Sequence, residues 1–198
     1  FHPKSGGQPS DTGIIIHPEF QLKVKKSFRV GRHIILWGKS ESQPKETDVL
    51  QKIDWGTRYL YMRRHAAAHL FDAALEKVKG EASNPKDSWL GDECYVGYSG
   101  EVPGEGEVKR VVEFMQNCIK ENLSLSSRIV SKEEVKEERE LWRKVIQNLD
   151  MIRLVQIDNF RPVPCGGTHV ESLGEIGSIQ LRKILKTEDG FRIYYDVK

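Results

Sequence analysis

The chain has 198 residues, enough to bury one large hydrophobic core or two small ones. Hydrophobic residues make up 38% and charged residues 30%, and no apolar run reaches the roughly 18 residues that a membrane-spanning helix needs. The net charge of +2 is too small to indicate a nucleic-acid-binding protein by itself, and three scattered cysteines do not form a disulfide framework. We therefore expect a globular protein of the reducing cytoplasm with no membrane partner.

The first fifty residues have the alternating pattern of a β-rich region. Phe20, Leu22 and Val24 alternate with polar neighbours, and short apolar runs occur in "TGIII" and "HIILWG". The chain begins at Phe1 rather than at a methionine, and "FHPKSGGQ" is no signal peptide, so we expect the beginning of this domain to be missing. We predict a β-rich domain over residues 1–50 and a second domain over residues 51–198.

A long helix is predicted at the start of the second domain. Asp54 is a suitable N-cap for a helix that begins at Trp55, and Gly80 stands where a glycine commonly ends a helix. The large apolar rings of Trp55 and of Trp37, in the first domain, are assigned to the hydrophobic core rather than to base stacking.

Shorter elements follow along the chain. The segment "EVKRVVEFMQNCIKEN" predicts a second helix, and a capping box of Ser131 and Glu134 predicts a third that continues to about Leu149. We predict a loop in "SNPKDSWLGD", strands in "ECYVGYSG", "LSLSSRIV" and "IRLVQI", and a hairpin of "EIGSIQLRKILKT" with "FRIYYDV". This order of elements indicates the α+β class.

Two pairs of metal-binding residue types recur at the same spacing. His65 and His69 share one helical face in "RRHAAAHLF", although one core and one surface histidine would give the same short pattern. Cys165 and His169 enclose two glycines in "RPVPCGGTHV", where a glycine turn with a buried cysteine is the alternative. Because thiolate and imidazole are preferred zinc ligands, the two pairs together predict one Zn²⁺ per chain.

Three other kinds of zinc protein fit the sequence less well. A protease with the motif HExxH needs a glutamate where Ala66 stands. A nucleobase deaminase needs HxE and a second cysteine after "PC", and neither is present. The long separation between the two pairs also argues against a zinc finger, whose ligands lie close together in the sequence.

These motifs resemble those of a known family, the editing domains of alanyl-tRNA synthetase and their free-standing AlaX-type relatives. The opening "FHPKSGGQPSDTG" is similar to the family's "FYPxGGGQPxDxG", and "DWGTRYLYMRRHAAAHL" and "IDNFRPVPCGGTHVESLGEIGSI" are similar to its two zinc segments. The resemblance covers essentially the whole chain and is to the longer free-standing type. It implies an N-terminal β-rich, barrel-like domain, followed by a zinc-binding editing domain with helices packed on an antiparallel sheet.

The implied activity is hydrolysis of mischarged tRNA(Ala), chiefly seryl-tRNA(Ala) and also glycyl-tRNA(Ala), at the ester of the 3′-terminal adenosine. A zinc-stabilised RNA-binding module without activity and a metal-dependent hydrolase of small molecules remain alternatives. Threonyl-tRNA synthetase editing domains share the HxxxH spacing but differ in the second segment, so they are ranked lower.

Carried over by position, the resemblance implies zinc ligands at His65, His69, Cys165 and His169. The residues expected in the substrate pocket are Gly6, Gly7, Gln8, Asp11, Gly166, Gly167 and Thr168. A pocket that hydrogen-bonds the hydroxyl of serine rejects alanine, and Gln8, Thr168, Ser5 and Thr12 are the candidates for this contact. Ser5, Ala66 and Ala68 depart from the family pattern and put the amino-acid preference in question.

Basic residues form the last predicted set. Contacts with tRNA phosphates are expected from residues beside the zinc helix and in the first domain, namely Arg58, Arg63, Arg64, Lys23, Lys25, Lys26, Arg29 and Arg32. A solvated basic surface is the alternative for each of them.

Overall fold

A computed structural model describes residues 1–45, 47–135 and 150–198. These residues contain two α-helices and eleven strands, and the strands form three antiparallel sheets, which confirms the α+β class. The helices are α1 (Trp55–Lys79) and α2 (Glu105–Lys120). The strands are β1 (Gly13–His17), β2 (Phe20–Val30), β3 (His33–Ser40), β4 (Leu50–Ile53), β5 (Pro85–Trp89), β6 (Tyr95–Ser99), β7 (Leu125–Ser131), β8 (Met151–Ile157), β9 (Val163–Pro164), β10 (Ile179–Thr187) and β11 (Gly190–Val197). Within these residues neither helix is long and apolar enough to cross a bilayer.

The N-terminal sheet has the strand order β3-β2-β1-β4. Its small core contains Ile15, Phe20 and Val24, two of which belong to the alternating pattern of the sequence. The strands β3 and β4 are its two edges among the described residues, so the barrel-like closure is not shown. The strand β4 pairs with β1, and the domain division at residue 50 stays a prediction.

The predicted helix from Trp55 is confirmed, with both of its ends. The Asp54 carboxylate accepts hydrogen bonds from the Thr57 backbone N–H at 3.2 Å and from its hydroxyl at 2.8 Å. Gly80 ends the helix at φ 75°, a left-handed conformation that glycine adopts without strain. The buried face of α1 carries Leu70 and Phe71 in the main core, so the helix is anchored close to the predicted metal ligands.

The second sheet has the order β10-β11-β6-β5 and includes the predicted C-terminal hairpin. The loop predicted in "SNPKDSWLGD" is wrong for five residues, because Pro85–Trp89 pair with β6 as an edge strand. This segment lacks an alternating apolar pattern, and its strand conformation comes from backbone pairing with β6, the next strand along the chain. Proline is tolerated at the first position of an edge strand, so Pro85 does not prevent the pairing.

The third sheet, of order β7-β8-β9, leads into the second predicted metal segment. The Ser131–Glu134 capping contacts are present, with the Ser131 N–H donating to the Glu134 carboxylate at 2.8 Å. They begin a short 3-10 turn over Lys132–Val135, and the rest of the predicted third helix lies outside the described residues.

The prediction that two tryptophans belong to the core is wrong. The exposed fraction is 53% for Trp37 and 57% for Trp55. Trp55 stacks on Tyr59 along the surface of α1, and Trp37 lies on the edge strand β3, where no further strand covers it among the described residues. A hydrophobic ring is usually buried, but among the described residues no other part of the structure buries either ring.

Candidate metal centre

The four predicted metal ligands come together at one point. Regular helix geometry places His65 and His69 one turn apart on α1, and their rings stack with centroids 5.0 Å apart. The nitrogen and sulfur donors of His65, His69, Cys165 and His169 all lie within 4.8 Å of one another. This cluster of one thiol and three imidazoles is therefore one that could hold a metal ion.

The second pair reaches the helix from the end of the third sheet. Cys165 Sγ lies 3.3 Å from His65 Nε2 and 3.5 Å from His169 Nε2. The Arg153 guanidinium on β8 donates from Nη1 to the carbonyl oxygens of Cys165 at 2.9 Å and Gly167 at 3.0 Å. Arg153 thereby fixes the loop that carries Cys165, a role without any motif in the sequence.

The two glycines of this loop have different roles. A Cβ atom added at Gly167 would lie 2.1 Å from His65 Cε1, far inside van der Waals contact, so only glycine allows this approach. A Cβ atom at Gly166 would meet no heavy atom within 4 Å. The expectation that glycine brings the two ligand pairs together therefore has a steric basis at Gly167.

Gln8 connects the N-terminal segment to the cluster. Its side chain is fully buried, and its amide donates from Nε2 to Thr168 Oγ1 at 2.8 Å. Gln8 Oε1 accepts the Thr168 backbone N–H at 3.0 Å and lies 3.2 Å from His65 Nδ1. Because Oε1 is an acceptor, it favours a proton on Nδ1 and leaves the His65 Nε2 lone pair facing Cys165.

His69 has an acidic neighbour that the sequence analysis missed. Asp72 Oδ2 lies 3.6 Å from His69 Nδ1, and Asp72 Oδ1 accepts a hydrogen bond from the Tyr98 hydroxyl at 2.7 Å. The spacing of three residues on a helix was the available signal, since it places both side chains on one face. A carboxylate beside a ligand histidine orients the ring in many metal sites.

The buried nitrogens of this cluster fit a metal ion. Among the described residues, neither ring nitrogen of His69 nor Nδ1 of His169 has a hydrogen-bond partner. Buried polar atoms are nearly always paired, and a metal ion could bind one nitrogen of each ring, so unpaired nitrogens in this cluster fit a metal ion. A soft thiolate with imidazoles is a donor set that suits Zn²⁺.

The protein itself creates the charge state that a metal ligand requires. Burial on its own raises the pKa of the Cys165 thiol, but the neighbouring His65 and His69 hold that pKa well below its usual range. Burial on its own lowers the pKa of His69, yet Cys165 and Asp72 raise it to about 10. Burial dominates at His169 and lowers its pKa to about 3. Without a metal, a thiolate and an imidazolium therefore stabilise each other here.

An open cavity of about 530 Å³ lies next to the cluster. Its wall includes three of the ligands, His65, His69 and Cys165, together with Arg161. Of the predicted pocket residues, the lining contains Gly6, Gly7 and Gly166. The lining does not include Gln8, Asp11, Gly167, Thr168, Ser5 or Thr12.

Asp11 is part of a buried ion pair behind this wall. Its carboxylate accepts a hydrogen bond from Arg58 Nε at 2.8 Å and another from the His2 backbone N–H at 2.6 Å. Asp11 and Arg58 therefore join the Gly-rich segment to the first turns of α1, which places Gly6 and Gly7 against the cavity.

Two further arginines predicted to contact phosphates form hydrogen bonds within the protein. Arg63 donates to the Ile176 carbonyl oxygen, and the buried Arg64 donates to Asp196 and to two backbone carbonyls. Arg32, by contrast, is exposed at the turn between β2 and β3. Together with the ion pair of Arg58, these contacts favour a structural role for the arginines of α1.

The C-terminal part of the chain matches a known family of domains. Residues 152–194, which include Cys165 and His169, match the family described as the threonyl and alanyl tRNA synthetase second additional domain. The second half of the cluster thus lies in a domain characteristic of aminoacyl-tRNA synthetases.

Similarity to individual relatives covers the whole chain. The chain is 29% identical to the alanyl-tRNA editing protein AlaX-M of Methanosarcina mazei, over 100% of this chain and 83% of that protein. It is 30% identical to AlaX-L of Pyrococcus horikoshii and 28% identical to the alanine–tRNA ligase of Pyrobaculum aerophilum, of which it spans 48% and 22%. Over nearly its whole length the chain is therefore similar to alanyl-tRNA editing proteins of the AlaX type.

Proposed function

We propose that this chain is a trans-editing hydrolase that removes the wrong amino acid from tRNA(Ala). The substrate would be chiefly seryl-tRNA(Ala), with glycyl-tRNA(Ala) as a second substrate, and the bond cleaved would be the ester at the 3′-terminal adenosine. The observation that carries this proposal is the arrangement of four metal donors from two distant segments beside an open cavity. The names of the AlaX relatives support the choice of substrate.

The cluster is proposed to hold one Zn²⁺ through His65, His69, Cys165 and His169. When bound, the ion would supply positive charge that polarises an ester carbonyl or lowers the pKa of a water molecule. Gln8 would keep His65 in the tautomer that offers Nε2, and Arg153 would hold the Cys165 loop. An aminoacyl ester is an activated bond, so correct placement of substrate and water provides a large part of the rate enhancement.

The cavity wall is proposed to position the aminoacyl end of the substrate. Gly6 and Gly7 present backbone without side chains, which lets a nucleotide approach closely. The Ser88 hydroxyl also lines the cavity, and its contact to the Gly6 carbonyl oxygen is a long 3.5 Å. We therefore add Ser88 to the predicted candidates, Gln8, Thr168, Ser5 and Thr12, for sensing the hydroxyl of serine.

One observation favours a second candidate function. Four protein ligands are typical of structural zinc sites, whereas catalytic sites usually have three ligands and an open position. A zinc-stabilised RNA-binding module without hydrolase activity would also have this cluster.

Deacylation assays distinguish these functions. The purified chain is incubated with seryl-tRNA(Ala), glycyl-tRNA(Ala), alanyl-tRNA(Ala) and seryl-tRNA(Thr), before and after metal removal by a chelator. We expect metal-dependent loss of the seryl ester from tRNA(Ala), with the alanyl ester spared. Turnover of seryl-tRNA(Thr) alone would indicate the threonyl type, and tRNA binding without turnover would indicate the binding module.

A further inference from the structure

The β2–β3 hairpin combines positive charge with exposed apolar side chains. Residues 20–40 contain six of the 31 lysines and arginines and none of the 29 aspartates and glutamates. The remaining chain therefore has 25 basic against 29 acidic residues, although the whole chain is nearly neutral. The basic residues of the hairpin are Lys23, Lys25, Lys26, Arg29, Arg32 and Lys39.

One face of this hairpin is apolar and exposed. In the antiparallel register Phe28 pairs with Ile35 and Lys26 with Trp37, so these four side chains lie on the same face. The exposed fraction is 42% for Phe28, 41% for Ile35 and 53% for Trp37, and the Lys26 ammonium lies 5.9 Å from the Trp37 ring centroid. Exposed aromatic rings on an edge strand promote aggregation unless a partner covers them, so this face needs an occupant.

The positive charge of the hairpin indicates which kind of partner binds it. Two copies of a hairpin that carries six cations and no anions would repel each other, which argues against self-association through this hairpin. A phosphate backbone neutralises such a surface, and exposed aromatic rings provide packing for ribose or unpaired bases.

The position of the hairpin connects it with the cavity. The Lys4 backbone N–H donates to the Ser27 carbonyl oxygen at 3.1 Å, and two residues farther along Gly6 lines the cavity. The two residues from Lys4 to Gly6 span at most about 7 Å. Along β2, the three residues from Ser27 to Val30 add about 10 Å. The hairpin tip is thus within roughly 25 Å of the cavity, a distance that about seven nucleotides of a stacked strand cover.

We infer that the β2–β3 hairpin is an RNA-binding surface that holds the acceptor arm of the substrate upstream of its 3′-terminal nucleotide. Its lysines and arginines contact the phosphates, and the Trp37 ring packs against an exposed ribose or base. The inference rests on the proposed function for the identity of the RNA. It assigns substrate recognition to the hairpin rather than to the arginines of α1.

Binding of an uncharged acceptor-arm RNA hairpin to the full chain tests the charge contribution. Lys25→Gln/Arg32→Gln removes two exposed cations from the hairpin, and Lys109→Gln/Arg110→Gln removes the same two residue types from the exposed surface of α2. Removal of one cation–phosphate interaction reduces the slope of log affinity against log salt by about 0.7 to 0.9. We expect the first variant to lower the slope by roughly one to two and the second to leave it unchanged. Equal slopes for both variants and the unmodified chain would overturn the inference.

The aromatic contribution has a separate test. Trp37→Ala is expected to weaken RNA binding at least about fivefold, and Trp37→Phe to retain most of the affinity, because any aromatic ring provides a packing surface. Unchanged affinity of Trp37→Ala, together with a shift from dimer to monomer in sedimentation, would assign the face to a second copy of the chain and overturn the inference.

Hydrolysis separates this inference from the proposed function. The hairpin variants are expected to slow deacylation of a seryl acceptor-arm RNA but to hydrolyse seryl-adenosine as fast as the unmodified chain. Equal slowing with both substrates would show damage to the site and contradict the inference. If the unmodified chain hydrolyses neither ester, the proposed function fails, while the salt slopes still decide where RNA binds.

Discussion

Gln8 Oε1 lies 3.2 Å from His65 Nδ1, so a residue of the N-terminal segment contacts a proposed metal ligand 57 residues away. The same oxygen accepts the Thr168 N–H, and Thr168 precedes the ligand His169. One amide thus contacts both halves of the metal cluster.

Removal of this amide should weaken metal binding. Gln8→Ala leaves His65 Nδ1 and the Thr168 N–H without their partner, and loss of such a supporting contact typically reduces metal affinity by about 10- to 100-fold. Competition with a chromophoric zinc chelator measures the effect. Gln180→Ala, at an exposed position of β10, is the control and should bind metal normally. Equal affinities for both variants would contradict the role of Gln8.

The two glycines of the Cys165 loop provide a matched pair. Gly167→Ala places a methyl group where His65 Cε1 lies, so the ligand must move and the bound metal should be lost. Gly166→Ala has free space around the added methyl, so its metal content should be normal. Metal content per chain after dialysis distinguishes the two variants, and retention of metal by Gly167→Ala would contradict the steric argument.

Arg153 should stabilise the loop without touching the metal. Arg153→Ala leaves the carbonyl oxygens of Cys165 and Gly167 without their donor, which we expect to reduce the free energy of unfolding by about 1 to 3 kcal/mol. Arg128→Ala, exposed on the adjacent strand β7, is the control. Urea unfolding of the zinc-loaded chain measures the difference, and an equally large reduction for Arg128→Ala would remove the special role of Arg153.

Thiol alkylation should report on the metal cluster. The Cys165 thiolate lines the cavity, whereas Cys94 and Cys118 are buried and burial raises the pKa of each to about 11. Iodoacetamide at neutral pH should therefore modify Cys165 alone in metal-free protein, because the thiolate is the nucleophile. Added Zn²⁺ should protect it. Peptide mass spectrometry identifies the modified residue, and equal labelling with and without Zn²⁺ would argue against metal binding.

An ion pair of α1 predicts acid sensitivity. Burial raises the pKa of Asp196, but the Val197 N–H and the Arg64 guanidinium lower it by more, and the net shift is downward. A carboxyl group whose pKa is lowered by folding stabilises the folded state at pH values above its unfolded-state pKa of about 3.9. This stabilisation is lost as the pH falls through the folded-state pKa. Asp196→Asn also leaves the buried Arg64 unpaired and should cost about 3 kcal/mol at pH 7.

Unfolding of Asp196→Asn at several pH values checks this prediction. The difference in the free energy of unfolding between this variant and the unmodified chain should have its full value between about pH 5 and 7. It should become smaller below about pH 4. Asp189→Asn breaks an exposed ion pair with Lys86 and should have a much smaller effect. A difference that does not change with pH would show that the carboxylate charge is not the cause.

Local signals in the sequence predicted much of the structure. The helix α1 was predicted with both ends because a capping aspartate and a terminal glycine act within a few residues of chain. The cluster of four donors was recognisable because helical spacing and a glycine turn each arrange two donors locally. The strand β5 was missed because its conformation depends on pairing with β6. Its sequence has no alternating pattern of apolar and polar residues.

Contacts between distant segments explain the other differences. The sequence placed Gln8 in the substrate pocket, but the structure buries it against Thr168, 160 residues later. The positioning roles of Arg153 and Asp72 depend on contacts that no motif encodes. The exposure of Trp37 depends on the absence of a covering layer over β3 among the described residues, and residue type alone predicts the opposite.

The separation of the ligands along the chain has a consequence for biosynthesis. Cys165 follows His65 by 100 residues, so at about 5 to 20 residues per second the first pair leaves the ribosome roughly 5 to 20 s before the thiol. A nascent chain therefore cannot bring the four donors together until it has been extended past His169. Products terminated before Cys165 would lack two of the four donors.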